Sequence, residues 1–438
     1  MRVMVVGSGA REHAVAWALS RSADYSSARP MKERVFCAPG NAGTEGVARN
    51  VAVDPQDGTA VVRACQELGI GLVLVGPEGA LASGLVDDLE AAGIRAFGPK
   101  RAAAMLESSK SFARSFAERH GIPCARTERF TDSASFIRFL DEMRDQRLVL
   151  KKSGLASGKG VFESDSREEL RRFGESVLAS DELLAEEYLV GKELSVFALC
   201  DLSDRLLLPV CADHKKAGQG DSGPNTGGMG AVCPVPFADA KLLAKIEHDI
   251  VDPTFRGMDS EGLKYRGILF FGIMVTDQGP RLLEYNVRFG DPETQSLLPL
   301  LDSNFLDLCT GTAVGRLCSL RPTVSKRIAC GVVVAAPGYP GDYPKGLAVN
   351  LGRLDAGVEA GLPELDSSVP GADALLFHAS TARSPDGTLR TGGGRCFTAV
   401  GVGETWETAR ASAYAAARAV KFEGAWFRPD IGDRYYPG

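Results

Sequence analysis

The first residues set a repeating pattern. Residues 2–6, Arg-Val-Met-Val-Val, read as a buried strand, and Ala14, Val15, Trp17, Ala18 and Leu19 then recur at helical spacing. Between them lies Gly7-Ser8-Gly9-Ala10-Arg11-Glu12, a glycine turn that aims backbone N–H groups and a helix start at an anion. Further apolar runs at Val35–Ala38, Leu72–Val75 and Ile94–Phe97 read as strands. Leu81, Leu85 and Leu89, four apart, predict one helix that stops at Gly93. Met105, Phe112 and Phe116 predict another that closes near Gly121. Strands alternating with helices imply a mostly parallel sheet with ligands at its carboxyl ends, where loops 7–12, 39–43 and 76–79 lie.

The pattern then changes. Leu148–Lys152 and Val161–Glu163 predict a β-hairpin joined by the glycine-rich stretch 153–160. Leu183–Leu189 begins as a short apolar strand and runs into Glu186-Glu187. Ser195–Cys200 with Leu206–Val210, and Gly267–Val275 with Arg281–Asn286, read as two more hairpins. Residues 218–231 hold six glycines and no periodicity, which predicts a structureless binding loop. From Glu293 on, Leu297, Leu298, Leu301, Phe305 and Leu308 predict one continuous helix. Arg327–Ala335 reads as a strand, and Trp406, Ala409, Ala413 and Ala416 mark a scaffold helix.

A length of 438 residues implies about two to four domains. The net charge of −6 gives no basic footprint for nucleic acid. The ten cysteines form no C-x-x-C pair and the five histidines do not cluster, which argues against a zinc site and a disulfide framework. No signal pattern precedes the first strand, and no apolar run reaches membrane-spanning length. A soluble cytoplasmic enzyme is the default expectation.

The chemistry concentrates at 282–295, Leu-Leu-Glu-Tyr-Asn-Val-Arg-Phe-Gly-Asp-Pro-Glu-Thr-Gln. On a strand Glu284 and Asn286 share a face, about 7 Å apart, and Tyr285 takes the other. Their hard oxygens suit Mg²⁺ shared with phosphate better than zinc. Arg288 is a rigid fork for a carboxylate or phosphate. Gly290, Asp291 and Pro292 force a turn and can cap the helix that follows. A dinucleotide fingerprint would need a third glycine where Glu12 stands and an acid after the second strand, so NAD is disfavoured. The 153–160 stretch is not a P-loop either, because its glycines are one residue too close and Gly160 replaces the metal-binding hydroxyl. It reads as a flexible hairpin tip over phosphates, with Lys151 and Lys159 supplying charge. Glu186-Glu187 before Gly191 suits an adenine-holding hinge, and Glu193 a ribose contact. Asp213, Lys215, Asn225 and Thr226 can hydrogen-bond a small polar substrate.

Four motifs carry a resemblance that spans nearly the whole chain: R-F-G-D-P-E-T-Q at 288–295, G-P-N-T-G-G-M-G-A at 223–231, A-P-G-N-A-G at 38–43 and G-L-A-S-G-K-G-V at 154–161. They resemble the phosphoribosylamine–glycine ligase family of the ATP-grasp superfamily. The resemblance implies an α/β and α+β multidomain protein: an N-terminal parallel-sheet (pre-ATP-grasp) domain at 1–103, a central ATP-grasp at 104–322 with a lid at about 123–192, and a C-terminal α+β domain at 323–438. It implies Mg²⁺ or Mn²⁺ on Glu284 and Asn286, and ATP on Lys110, Lys151, Gly158, Lys159, Gly160, Glu186, Glu187, Leu189 and Glu193. It implies a phosphoribosylamine site drawn from Gly9, Glu12, Asn41, Asp213, Lys215, Asn225, Thr226 and Arg288. Arg288, Asp291 and Lys151 are its catalytic candidates. The expected reaction activates glycine as an acyl phosphate, which the amine of 5-phosphoribosylamine then attacks. The partners expected are these small molecules, with no nucleic acid and no membrane, on a monomer or weak dimer. Four positions depart from the family pattern: Ser8 replaces an amide side chain, Lys152-Ser153 replace Ala-Asp, and Ser380 replaces a glycine. Two alternatives stay open, another ATP-grasp carboxylate–amine ligase and a non-catalytic nucleotide-binding protein.

Overall fold

The N-terminal strands form a five-stranded parallel sheet in the order Arg49–Asn50, Val35–Pro39, Val3–Gly7, Leu72–Val75, Arg95–Phe97. The computed structural model describes residues 1–22, 31–143, 146–156, 160–352, 364–365 and 369–436. The central strand Val3–Gly7 and the helix Ala10–Ser20 are buried at every position, which explains their near-continuous apolar runs.

Two helices expected to be continuous are broken. Leu81, Leu85 and Leu89 are all buried, but they sit on Glu78–Ser83 and Leu85–Ala91. Gly84 between them is left-handed at φ +94°, and the Arg101 guanidinium lies where its side chain would project. Likewise Arg101–Ser108 and Lys110–Arg119 are separate helices. Ser109 turns extended and caps the second by accepting from the Phe112 N–H at 3.2 Å. The break lets Lys110 N–H donate to the Ser153 carbonyl at 2.9 Å and Ser111 N–H to the Ser153 hydroxyl at 3.2 Å. Ser153 therefore anchors the glycine-rich connection to the helix start.

Two antiparallel sheets form the centre. One runs Arg205–Leu207, Lys192–Cys200, Gly267–Thr276, Gly279–Asn286. The other runs Thr127–Phe130, Leu183–Glu187, Leu148–Lys152, Val161–Ser164 and contains the expected hairpin. With helices Ser133–Glu142 and Arg167–Leu178 this second sheet encloses a core of its own, around Phe130, Phe136, Leu150 and Leu170. Gly158 and Lys159 lie outside the described residues.

The stretch 218–231 is not structureless. Lys216–Gly218 pairs with Ser222–Asn225 around a turn in which Asp221 has φ +55°. Gly230–Cys233 then joins a sheet built mainly from the end of the chain, in the order Ala212–Asp213, Gly230–Cys233, Ile328–Ala335, Arg395–Gly403, Ala372–His378, Glu364–Leu365. The helix Trp406–Ala419 packs on this sheet. The long helix expected from Glu293 also divides. Glu293–Leu297 tightens into Leu298–Leu300, and Phe305–Ala313 starts afresh on Asn304, whose side chain accepts from the Leu306 N–H at 3.1 Å. Among the described residues no helix is long and apolar enough to cross a membrane.

Candidate functional site

Strand Gly279–Asn286 presents the expected alternation. Tyr285 is buried on one side, its hydroxyl 2.9 Å from that of Thr254. Glu284 stands opposite Gly272, where a methyl group would come within 3.1 Å of its Cγ. The glycine leaves room for the carboxylate. Burial alone would push Glu284 up, but Lys215, Lys151, Lys110 and Arg288 hold it down to about 2. Lys215 Nζ lies 3.4 Å from Glu284 Oε1 and is ion-paired to Glu193. Burial disfavours the Lys215 charge, yet Glu193, Glu284 and Asp213 raise it well above the usual lysine range.

Lys151 reaches the same strand from the second central sheet. Its Nζ donates to the Leu283 carbonyl at 3.2 Å and pairs with Glu186 at 2.8 Å. Arg114 flanks Glu186 from the other side at 2.5 Å and donates to the Leu282 and Leu283 carbonyls at 3.3 and 3.2 Å. The carboxylate of Glu186 thus faces inward and fixes Lys151, while its neighbour Glu187 is exposed and accepts from the Arg126 N–H at 2.8 Å. Lys110 donates to the Gly154 carbonyl at 3.4 Å; burial lowers its pKa. Gly160 closes the hairpin, its carbonyl accepting from Lys152 N–H at 2.8 Å. Leu189 follows the exposed turn after Leu183–Glu187.

A second cluster sits where the N-terminal, central and C-terminal sheets meet. Arg288 pairs with buried Glu107 at 2.8 Å and approaches Glu78 at 3.6 Å. Asp291 does not cap the following helix: it accepts from Gln295 Nε2 at 3.0 Å and faces Arg395 at 3.4 Å. Burial would raise Asp291, but Arg395 and Arg11 hold it below the usual carboxylate range. Arg395 also donates to the carbonyls of Gly227 at 2.5 Å and Asp291 at 3.0 Å. Glu12 accepts from Gly9 N–H at 2.7 Å and Arg11 at 2.5 Å, which locks the first glycine turn. Asn41 is buried, and protein atoms take up both ends of its amide.

The substrate-loop candidates lie between these clusters. Asp213 is buried, its Oδ1 has no hydrogen-bond partner, and burial pushes its carboxyl well up. Thr226 donates its hydroxyl to the Lys215 carbonyl at 2.9 Å, and Asn225 stands across from Lys216. The segment is held by the chain's end. Arg428 donates to the Lys216 carbonyl at 2.8 Å and pairs with Asp221 at 3.0 Å, while Arg434 donates to the Asp213 carbonyl at 3.0 Å. Lys216 is ion-paired to Glu163 on the returning strand of the hairpin. The sequence reading missed Arg11, Glu107, Arg114, Arg395, Arg428 and Arg434. Each acts through a partner remote in sequence, and the only local signal was the glycine run before Arg395.

The whole chain has counterparts among known proteins. The phosphoribosylglycinamide synthetase N domain matches residues 1–107, its ATP-grasp (A) domain residues 108–294 and its C domain residues 329–434. The phosphoribosylamine–glycine ligase of Rhodopirellula baltica is 42% identical over 99% of this chain and 97% of its own. The trifunctional purine biosynthetic protein adenosine-3 of Gallus gallus is 42% identical over 99% of this chain, which spans 42% of that protein's length. The crystal structure of phosphoribosylamine–glycine ligase from Thermotoga maritima is similar at a TM-score of 0.81 and 33% identity, covering 98% of this chain and 100% of that one.

Proposed function

Since the chain belongs to the phosphoribosylglycinamide synthetase family, we propose that it is an ATP-dependent ligase that joins glycine to 5-phosphoribosylamine, giving glycinamide ribonucleotide, ADP and phosphate in purine biosynthesis. The observation that carries this reading is Lys215 Nζ at 3.4 Å from Glu284 Oε1, with Lys151 and Lys110 adding positive charge that helps keep this carboxylate ionised. Such a cluster of cations suits a polyphosphate.

Glu284 and Asn286 fit a divalent ion, Mg²⁺ or Mn²⁺, because they offer hard oxygens two residues apart on one strand and Glu284 stays charged. Such an ion would neutralise phosphate oxygens at this edge. The chain's own residues do the rest. Lys151, fixed by Glu186, gives a phosphate a stationary ammonium, and Lys110 adds a second. Gly160 closes the hairpin beside them, and Glu187, Leu189 and Glu193 flank the nucleotide. Arg288, clamped by Glu107, supplies a guanidinium that does not reorient as charge develops. A glycine carboxylate oxygen attacks the γ-phosphorus, and the bond to the bridging oxygen breaks to release ADP. The amine nitrogen of phosphoribosylamine then attacks the acyl carbon, phosphate leaves with the C–O electron pair, and the nitrogen loses its proton. Hydrolysis of the acyl phosphate competes, so the hairpin over the site must exclude water. Gly9, Glu12, Asp213, Lys215, Asn225 and Thr226 form the walls for the amine substrate, and Asp291 ties its loop to the C-terminal sheet.

The test is ADP release with glycine, phosphoribosylamine or both, for the wild type and Glu284→Gln. Sustained ADP and phosphate are expected only with both substrates, and the variant loses about 10²-fold or more in turnover. Equal turnover with an unrelated amine, or a near-wild-type variant, sinks the reading.

A further inference from the structure

Asn41 makes contacts that local sequence does not foretell. Its Oδ1 accepts from the N–H groups of Gly43 at 2.8 Å and Thr44 at 3.0 Å, closing its own loop. Its Nδ2 donates to four carbonyls: Ser8 at 2.8 Å and Gly9 at 3.5 Å in the first glycine turn, and His378 at 2.9 Å and Ala379 at 3.2 Å at the end of the C-terminal strand Ala372–His378. Two lone pairs and two hydrogens are thereby used, and none remains for a ligand. Two further bonds from backbone N–H groups cross the same seam, one to a side chain and one to a carbonyl. His378 N–H donates to His13 Nδ1 at 2.9 Å, and Ala42 N–H donates to the Thr381 carbonyl at 3.3 Å. The contact is close, since a methyl group on Gly43 would come within 2.5 Å of the His13 ring and 2.6 Å of the His378 ring.

We infer that Asn41 is a positioning residue: it docks the two N-terminal anion-facing loops onto the C-terminal sheet, so that a site drawn from both domains is held in register. The clasp reads backbone atoms only, so it depends on the amide at position 41 and not on the side chains it joins. That the site it registers takes 5-phosphoribosylamine rests on the proposed function; the clasp itself does not.

The test uses the full chain and Asn41→Asp. A carboxylate of the same shape has no N–H for the carbonyls of Ser8, Gly9, His378 and Ala379 and repels all four. Amide hydrogen exchange at Ala42 and His378 is expected to speed up about tenfold or more, with strand Leu183–Glu187 unchanged. The KM for phosphoribosylamine should rise about tenfold while those for ATP and glycine stay near wild type. Unchanged exchange at Ala42 and His378 overturns the inference, as does a parallel rise of all three KM values. Should Asn41→Asp fail to fold, Asn41→Ala removes the same N–H donors without adding a charge, and unchanged exchange at Ala42 and His378 in that variant overturns it too. A wild type without ligase turnover would defeat the proposed function, while exchange would still decide the clasp.

Discussion

Glu186 has almost no contact with solvent, and two cations share it. Burial would raise its pKa, but Lys151 and Arg114 hold it below the usual carboxylate range. A depressed carboxyl stabilises the fold above its unfolded pKa and loses that contribution as pH falls, because the unfolded chain takes up the proton first. Glu186→Gln leaves Lys151 and Arg114 buried without an anion. The expected cost is about 3–5 kcal/mol, read as a lower urea midpoint with an unchanged slope. A shift below about 1 kcal/mol would mean that the strand carbonyls alone satisfy the two cations. The short apolar strand running into the acidic pair at 186–187 was legible. The inward aim of the pair's first member was not, because Arg114 is remote in sequence and carries no local mark.

Elements whose faces are both buried were readable from their apolar runs alone, as the strands Val3–Gly7 and Leu72–Val75 show. Breaks between helices were not. The leucine spacing across Gly84 and the apolar spacing across Ser109 both fit an unbroken helix, and long-range partners, Arg101 and Ser153, decide otherwise. The hairpin inside 216–225 was hidden for the same reason: its order comes from Arg428 and Arg434 near the other end of the chain. The strand and turn within 282–295 were readable because alternating residues of one strand run straight into Gly290, Asp291 and Pro292 at its exit. Gly272, across the ladder from Glu284, yields a prediction at this scale. Gly272→Ala keeps the strand pairing but crowds the Glu284 side chain, placing a methyl group 3.1 Å from its Cγ and 3.8 Å from Oε1. Turnover should fall about tenfold, with a melting temperature within a few degrees of wild type, by kinetics and calorimetry on one preparation. An unaffected rate would show that Glu284 has another way to turn.

Across the whole molecule three buried histidines make the fold acid-sensitive. Burial lowers His13 well below its usual value, and it lowers His214 and His378 to about 3, with nearby arginines adding to the effect on both. The unfolded state therefore binds protons from about pH 6.5 downward while the native state resists, and stability declines as the solution is acidified. Each group can contribute up to about 1.4 kcal/mol per pH unit in that window. Thermal unfolding at pH 7.5, 6 and 5 should show a progressive fall. A flat profile would mean that these imidazoles gain protons in the native state. His13 and His378 belong to the Asn41 seam and His214 to the chain-end clasp, where Gly432 N–H donates to its Nε2 at 3.1 Å. Acid therefore strains both joints that bring the C-terminal sheet to the site.

A charge-assisted hydrogen bond ties Glu163 on the hairpin's returning strand to Lys216, and neither side chain is fully shielded from water. A fastening of this kind yields to dissolved electrolyte. The hairpin proposed to exclude water is therefore expected to loosen as ionic strength rises.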